Sequence, residues 1–313
     1  MVTGEGGPNV TKAEQICERF KNNPFARITD VAREFGTSRA QVRRVLKRKG
    51  LYDQLKRMPL VTPAEKHEKS IDTVEFFICD LHIPHHDEKA LSIAYREMLD
   101  VQPDRIWIGG DLLDFHKISH FNRDPEEADI ADEIEKGKDF IAQLRTDFPN
   151  AEIVLEGGNH DDGRWEAYLS NTNIKGVDGV DIDQILNLDM FDVKYISAQE
   201  EKQLQGVWPR RGLLYHIHGH EYRIGYGAIN VAKLMKDRAG DNTIFGHFHR
   251  TQEYYWQTIS GDVYGCWSVG CLCDLNPRFA PGNRWNHGFA VIYYHEDGTF
   301  EVQNKKIVKG MVV

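Results

Sequence analysis

The sequence predicts an α/β protein of two stacked β-sheets flanked by helices, preceded by a small all-α module. Three observations carry this. Between residues 74 and 245, short apolar runs of strand length alternate with amphipathic stretches of helix length. That alternation is the mark of strand-helix-strand units feeding a parallel sheet. From Tyr254 to Ile307 the chain becomes strand-rich, which supplies further sheet. Ahead of both, residues 1–60 show three short helical periodicities and carry 13 Lys and Arg against 6 Asp and Glu, in a chain whose net charge is −9. The expected organisation is a basic helical domain over 1–53, a linker over 54–72 and an α/β body over 73–313.

The first helix runs from Thr11 to Asn22. Thr11 and Glu14 form a capping box, Ile16 and Phe20 its apolar stripe, and Pro24 ends it. A second helix over 28–35 places Ile28, Val31, Ala32 and Phe35 on one face. Gly36 suits the sharp turn that follows, because glycine tolerates positive φ. A third helix starts at Thr37 or Ser38, with Gln41 completing a second capping box, and runs through Val42, Val45 and Leu46 to Gly50. This spacing, with its core Ala-Arg-Glu-Phe-Gly-Thr-Ser-Arg, resembles the helix-turn-helix DNA-binding module of many bacterial and phage regulators. The resemblance implies that Ser38, Arg39, Gln41 and Arg43 face base edges. Arg44, Lys47, Arg48 and Lys49 are then expected on phosphates. A solvated basic face serving protein contacts is the alternative. A single half-site binds weakly, so a homodimer or a second contact through the body is expected to assist. Residues 54–72 hold Pro59, Pro63 and many charges, the composition of a linker.

In the body, a strand over 74–79 ends at Asp80 and a helix covers 87–99. A strand over 105–108 ends at Asp111. A helix over 125–144 turns Ile130, Ile134, Ile141 and Leu144 inward. A strand over 151–155 ends at Asn159 and one over 213–217 at His218. A helix covers 228–238, and a strand over 243–245 ends at His247. Asp297-Gly298 marks a hairpin turn in the tail.

Five polar clusters follow five of these strands. They are Asp80-Leu81-His82, Gly110-Asp111-Leu112-Leu113-Asp114, Gly158-Asn159-His160-Asp161, His218-Gly219-His220 and Gly246-His247-Phe248-His249. A parallel sheet gathers the residues after its strands along one edge. Oxygen and nitrogen donors without thiolate suit a pair of divalent cations doing hydrolysis better than a structural zinc.

Arranged in this order over about residues 73–310, the clusters resemble the calcineurin-like metallophosphoesterase family. The resemblance implies a four-layer α/β/β/α sandwich. It implies that Asp80, His82 and His249 hold one metal, that Asn159, His218 and His247 hold a second, and that Asp111 bridges them. A cation pair about 3.5–4 Å apart would yield hydroxide at neutral pH to attack phosphorus. His160 would donate to the leaving oxygen, with Asp161 as the carboxylate that orients it. Mn2+ is the expected metal, with Mg2+, Fe2+ or Zn2+ as alternatives. Asp114 would orient a ligand or cap a turn.

Further residues near these clusters invite a role with substrate. His86, Arg164 and Arg250 are the candidate contacts, Trp165 could stack a base, and the loop from Asn276 to His287 carries Arg278, Arg284 and Trp285. His216 reads as a core residue, and His67 as solvated. The five cysteines, Cys17, Cys79, Cys266, Cys271 and Cys273, do not form a disulfide framework. They read as reduced residues, with a ligand or redox role for Cys271 and Cys273 as the alternative. No membrane span or signal sequence is expected, so a cytoplasmic protein is. The function expected is a DNA-cleaving phosphodiesterase with its own DNA-binding head, small and stand-alone, of phage or mobile-element type. The alternatives are a phosphatase or nucleotide phosphodiesterase that the head only localises, and a DNA-binding regulatory or assembly protein without catalysis.

Overall fold

Three apolar segments open the larger unit as parallel strands: β1 (Ile71–Ile78), β2 (Arg105–Gly109) and β3 (Glu152–Glu156). The computed structural model describes residues 11–22, 28–52, 70–119, 128–197, 213–225, 227–278 and 280–313. The chain divides into two units, one of Met1–Ser70 with His295–Thr299 and one of Ile71–Tyr294 with Phe300–Val313.

Side chains alternate across each strand, and here both faces are buried. Phe76, Ile78, Ile106, Ile108, Ile153 and Leu155 pack on helices α4 (Glu88–Val101) and α5 (Ile130–Asp147) through Ala94, Met98, Ile141 and Leu144. Phe77, Trp107 and Val154 face the opposite way and meet Ile244, Trp267 and Val269 of a second sheet. That sheet has the order β5-β6-β8-β7, from β5 (Tyr215–Ile217), β6 (Thr243–Phe245), β8 (Val263–Ser268) and β7 (Gln252–Gln257). Its outer face, with Ile217, Phe245 and Cys266, packs on Val231, Ala232 and Met235 of helix α8 (Val231–Ala239). The layers are therefore helix, sheet, sheet, helix. Each fully buried Ile, Leu or Phe contributes about 1.5–3 kcal/mol over exposure, so the three apolar layers hold the sheets face to face.

The first sheet has seven strands in the order β11-β10-β9-β1-β2-β3-β4. β4 (Val193–Ile196) extends the parallel set, and β9 (His287–His295), β10 (Phe300–Val308) and β11 (Met311–Val312) form an antiparallel meander. Gly298 has φ 83 in the β9–β10 turn, where the hairpin is expected. Between the sheets lies a polar chain. His216 Nε2 is 2.5 Å from Glu75, Arg105 reaches both Glu75 and Glu152, and the Trp107 indole donates to Glu156. His216 is thus the core residue it reads as, fully buried.

Some boundaries move. Helix α8 begins at Val231 rather than 228, because Asn230 caps it through the Lys233 amide. Helix α5 continues three residues beyond the expected end, to Asp147; its expected start lies outside the described residues. Helices α6 (Trp165–Asn171) and α7 (Ile182–Ile185) and strand β4 add to the expected elements. β1 starts at Ile71, inside the expected linker, most of which lies outside the described residues together with His67. Among the described residues, no helix is long and apolar enough to cross a membrane.

In the smaller unit, α1 (Lys12–Asn22), α2 (Ile28–Glu34) and α3 (Arg39–Arg48) close on Ile16, Phe20, Val31, Ala32, Val42 and Leu46. Gly36 has φ 55 between α2 and α3, and Ser38 Oγ accepts from the Gln41 amide at 3.2 Å. Arg39, Gln41, Arg43, Arg44, Lys47, Arg48 and Lys49 are all exposed.

Candidate metal centre

Strand register fixes where the polar clusters meet. Ile78 pairs with Ile108, Ile108 with Leu155, and Ile217 with Phe245. The residues after these strands therefore leave the two sheets along shared edges. Asp80, His82, Asp111, His247 and His249 all sit at positive φ, between 50 and 64°. For a non-glycine residue that conformation costs about 1 kcal/mol or more, and it re-aims a side chain that an extended backbone would send elsewhere. Glycines supply the remaining room. A Cβ on Gly158 would lie 2.1 Å from Asp111 Oδ1, and one on Gly110 would lie 2.4 Å from His218 Nδ1.

Four donor triads have ligand atoms within 4.8 Å of one another. His82 with His249 and Cys273, and His82 with Asp114 and His160, are two of them. The other two, Asp80 with His82 and Asp111, and Asp111 with His218 and His247, share Asp111. His249 Nε2 joins the first side, 3.2 Å from Asp80 Oδ1 and 3.3 Å from His82 Nε2. Asn159 Oδ1 joins the second, 3.1 Å from His218 Nε2. All seven expected metal-binding residues thus come together. On His82 and His218 the ring nitrogen facing away from the centre has an acceptor that sets the tautomer. His82 Nδ1 lies 3.0 Å from Asp114 Oδ1, and His218 Nδ1 lies 2.8 Å from the Gly109 carbonyl. With hydrogen on Nδ1, Nε2 keeps its lone pair for a cation.

The electrostatics agree with a cation site. Burial would raise the Asp80 carboxyl, but His249 and His218 hold it down to about 2. Burial likewise opposes ionisation of Asp111, and His218, His160 and His82 bring it well below the usual carboxylate range. Burial also disfavours charge on His249, yet Asp80 lifts it to about 10. His247, buried beside His218, falls to about 3 and is neutral. Buried carboxylates are here balanced by imidazole protons, and a bound cation displaces such protons. Oxygen and imidazole donors, with Nε2 lone pairs turned inward, fit two divalent cations, with Asp111 placed to serve both.

His160 stands beside the ligands. Its amide donates to Asp111 Oδ1 at 2.8 Å, and its Nε2 lies 3.9 Å from Asp111 Oδ2. Its Nδ1 lies 3.0 Å from the Asp114 carbonyl and 3.1 Å from Asp114 Oδ1. The carboxylate on His160 is therefore Asp114 and not Asp161, whose oxygens instead accept from the Leu112 and Leu113 amides at 2.9 and 2.7 Å. Asp161 pins the loop that carries Asp111; burial and Asp111 push its carboxyl up to about 7.

The expected substrate contacts are otherwise engaged. Arg164 donates to the Asp114 carbonyl at 2.7 Å, and buried Arg250 donates to the Ala228 carbonyl at 2.7 Å. His86 is half-buried on the turn before α4, and burial lowers its pKa. Trp165 is buried, stacks on Phe115 and donates to the Val180 carbonyl, so it belongs to the core. Trp285 is half-buried against the His249 ring, with centroids 4.1 Å apart. The sequence named that loop without assigning Trp285 a role. Cys273, for which a reduced thiol is the expectation and a ligand or redox role the alternative, lies with Sγ 3.7 Å from His249 Nδ1.

No family model matches the chain. The chain is similar to the Gene 54 protein of Mycobacterium phage D29, 27% identical over 231 residues, covering 69% of this chain and 86% of that protein. The Gene 54 protein of Mycobacterium phage L5 is 26% identical over 232 residues, with the same coverage. Both relatives are phage proteins, in line with the expected phage or mobile-element type. Among solved structures, vacuolar protein sorting 29 from Cryptosporidium parvum aligns over 78% of this chain and 96% of its own, at 12% identity and a TM-score of 0.42. Yfce, a phosphoesterase from E. coli, aligns over 74% and 98%, at 13% identity and 0.35.

Proposed function

We propose that the chain is a metal-dependent phosphodiesterase that cleaves DNA and that α3 brings the duplex to it. The observation that carries the hydrolytic reading is the pair of donor triads sharing Asp111, with His160 held beside that carboxylate. Asp80, His82, Asp111 and His249 would hold one divalent cation and Asp111, Asn159, His218 and His247 the other. Bound there, the pair would polarise phosphate oxygens and lower the pKa of water.

The protein's own groups do the rest. Asp114 accepts from Nδ1 of His160 and so turns Nε2 towards Asp111; to act as the acid, the ring must carry a second proton on Nε2, and that is the proton it would give to a leaving oxygen. Burial opposes ionisation of Asp114, but its hydrogen bonds with His160 and His82 bring it well below the usual range. It stays anionic and holds the His160 ring in place beside Asp111. Arg164, on the Asp114 carbonyl, braces that arrangement. Asp161 keeps Leu112 and Leu113 in place, and with them the turn bearing Asp111.

The DNA reading rests on charge and exposure in α3. Ser38, Arg39, Gln41 and Arg43 lie at the start of the helix, where a recognition helix meets base edges. Arg44, Lys47 and Arg48 follow as phosphate contacts.

The test uses the full chain with Mn2+ on plasmid DNA, linear DNA, bis-p-nitrophenyl phosphate and a nucleotide monoester. DNA and the diester should be cleaved, and a chelator should stop both. Cleavage of the monoester with DNA untouched would mark a phosphatase instead. Activity that survives complete metal removal would refute the hydrolytic reading.

A further inference from the structure

His249 is held from two sides. Its Nε2 faces Asp80 Oδ1 at 3.2 Å and His82 Nε2 at 3.3 Å. Its Nδ1 faces Sγ of Cys273 at 3.7 Å, Cys273 is 4% exposed, and Cys271, whose Sγ donates to the Asn286 carbonyl, also acts on the ring. When Nε2 offers its lone pair to a cation, the ring hydrogen must sit on Nδ1, and the acceptor there is sulfur. His82 and His218 satisfy the same requirement with oxygen, from the Asp114 carboxylate and the Gly109 carbonyl.

We propose that Cys273 is a positioning residue for His249: Sγ accepts from Nδ1–H and fixes the tautomer and ring plane that present Nε2 to the first cation. The proposal rests on the dinuclear metal reading above. Cys273 is itself well anchored, since its carbonyl accepts from His287 Nε2 at 2.9 Å and its backbone bridges to His86. Trp285 lies against the His249 ring, and the Asn286 amide holds the His249 carbonyl at 2.9 Å. Those contacts fix where the ring is. The sulfur selects which nitrogen is free.

Outer partners of metal-bound histidines typically change metal affinity 10–100-fold when removed. The experiment titrates the metal-free full chain with Mn2+ by calorimetry, for wild type, Cys273→Ser and Cys273→Ala. Cys273→Ala should weaken one of two sites by about 10–100-fold and leave the other unchanged. Cys273→Ser, which keeps an acceptor at nearly the same place, should recover part of the loss and guards against a variant that merely misfolds. Wild-type protein loaded with Co2+ should show no sulfur-to-cobalt charge-transfer band. Unchanged affinity in Cys273→Ala overturns the proposal, as does equal weakening of both sites. A charge-transfer band overturns it too, by making Cys273 a ligand. Failure of wild type to bind Mn2+ sinks the metal reading and this proposal with it.

Discussion

Asp114→Ala should damage two steps at once, and by separable amounts. The Asp114 carboxylate lies 3.0 Å from Nδ1 of His82 and 3.1 Å from Nδ1 of His160. One ring is a metal donor and the other the proposed acid. At His82 the loss is that of an outer partner, about 10–100-fold in metal affinity, or roughly 1.4–2.7 kcal/mol. At His160 the ceiling is the whole acid contribution, about 10²–10⁴-fold in rate, or roughly 2.7–5.4 kcal/mol. Saturating Mn2+ removes the first effect and leaves the second. Under that condition Asp114→Ala should fall between wild type and His160→Ala in kcat on DNA. The double variant should be no worse than His160→Ala, because Asp114 acts on the chemistry through that ring. Substrate choice adds a control. A nitrophenolate leaves readily without a proton, so His160→Ala should lose far less on bis-p-nitrophenyl phosphate than on DNA, while still binding two Mn2+. Losses that multiply in the double variant, or equal losses on both substrates, would refute the acid assignment.

Gly158→Ala places a Cβ 2.1 Å from Asp111 Oδ1, so the shared carboxylate must move; both Mn2+ affinities should fall together, with about 1–3 kcal/mol lost in denaturant unfolding. Glu156 is fully buried, and burial, with Glu221 nearby, pushes its carboxyl up to about 8. Its stabilising contribution is complete below its unfolded value near 4.5 and is lost as pH rises towards 8, because the folded state then holds the extra proton. Glu156→Gln, neutral at every pH, should flatten that decline, on the order of a few kcal/mol, in melts taken from pH 5 to 8. Lys47→Ala with Arg48→Ala should lower the slope of log affinity for DNA against log salt by roughly 0.9 per lost phosphate contact. An unchanged slope would remove these two residues from the DNA interface.

The candidate metal donors were legible because each follows a short apolar run, and runs of that length bounded by turn residues read as buried strands. Their positions in sequence already encode one sheet edge. Roles that depend on which loop meets which were not legible. Asp114 lies 32 residues from His82 and 46 from His160, and only folding shows that it serves both. Asp161, adjacent to His160 in sequence, bonds the Asp111 loop instead, because the chain winds as a π-helical turn over Asn159–Arg164. Directly after that turn Trp165 enters the core on Phe115, which is why a tryptophan beside His160 and Asp161 serves packing. Segments without a long apolar period, such as the four residues of β4, left too little pattern to read.

The left-handed backbone at Asp80, His82, Asp111, His247 and His249 has a consequence for how the centre fills and empties. These backbone conformations belong to the loops that leave the two sheets, and the sheets themselves are held by apolar packing. Small zinc domains gain their fold from the metal and lose it to a chelator. Here the scaffold rests on three apolar layers that contain none of the proposed ligands. Exchange of one divalent ion for another should then be a local event, governed by donor chemistry and the concentrations in the cell rather than by refolding.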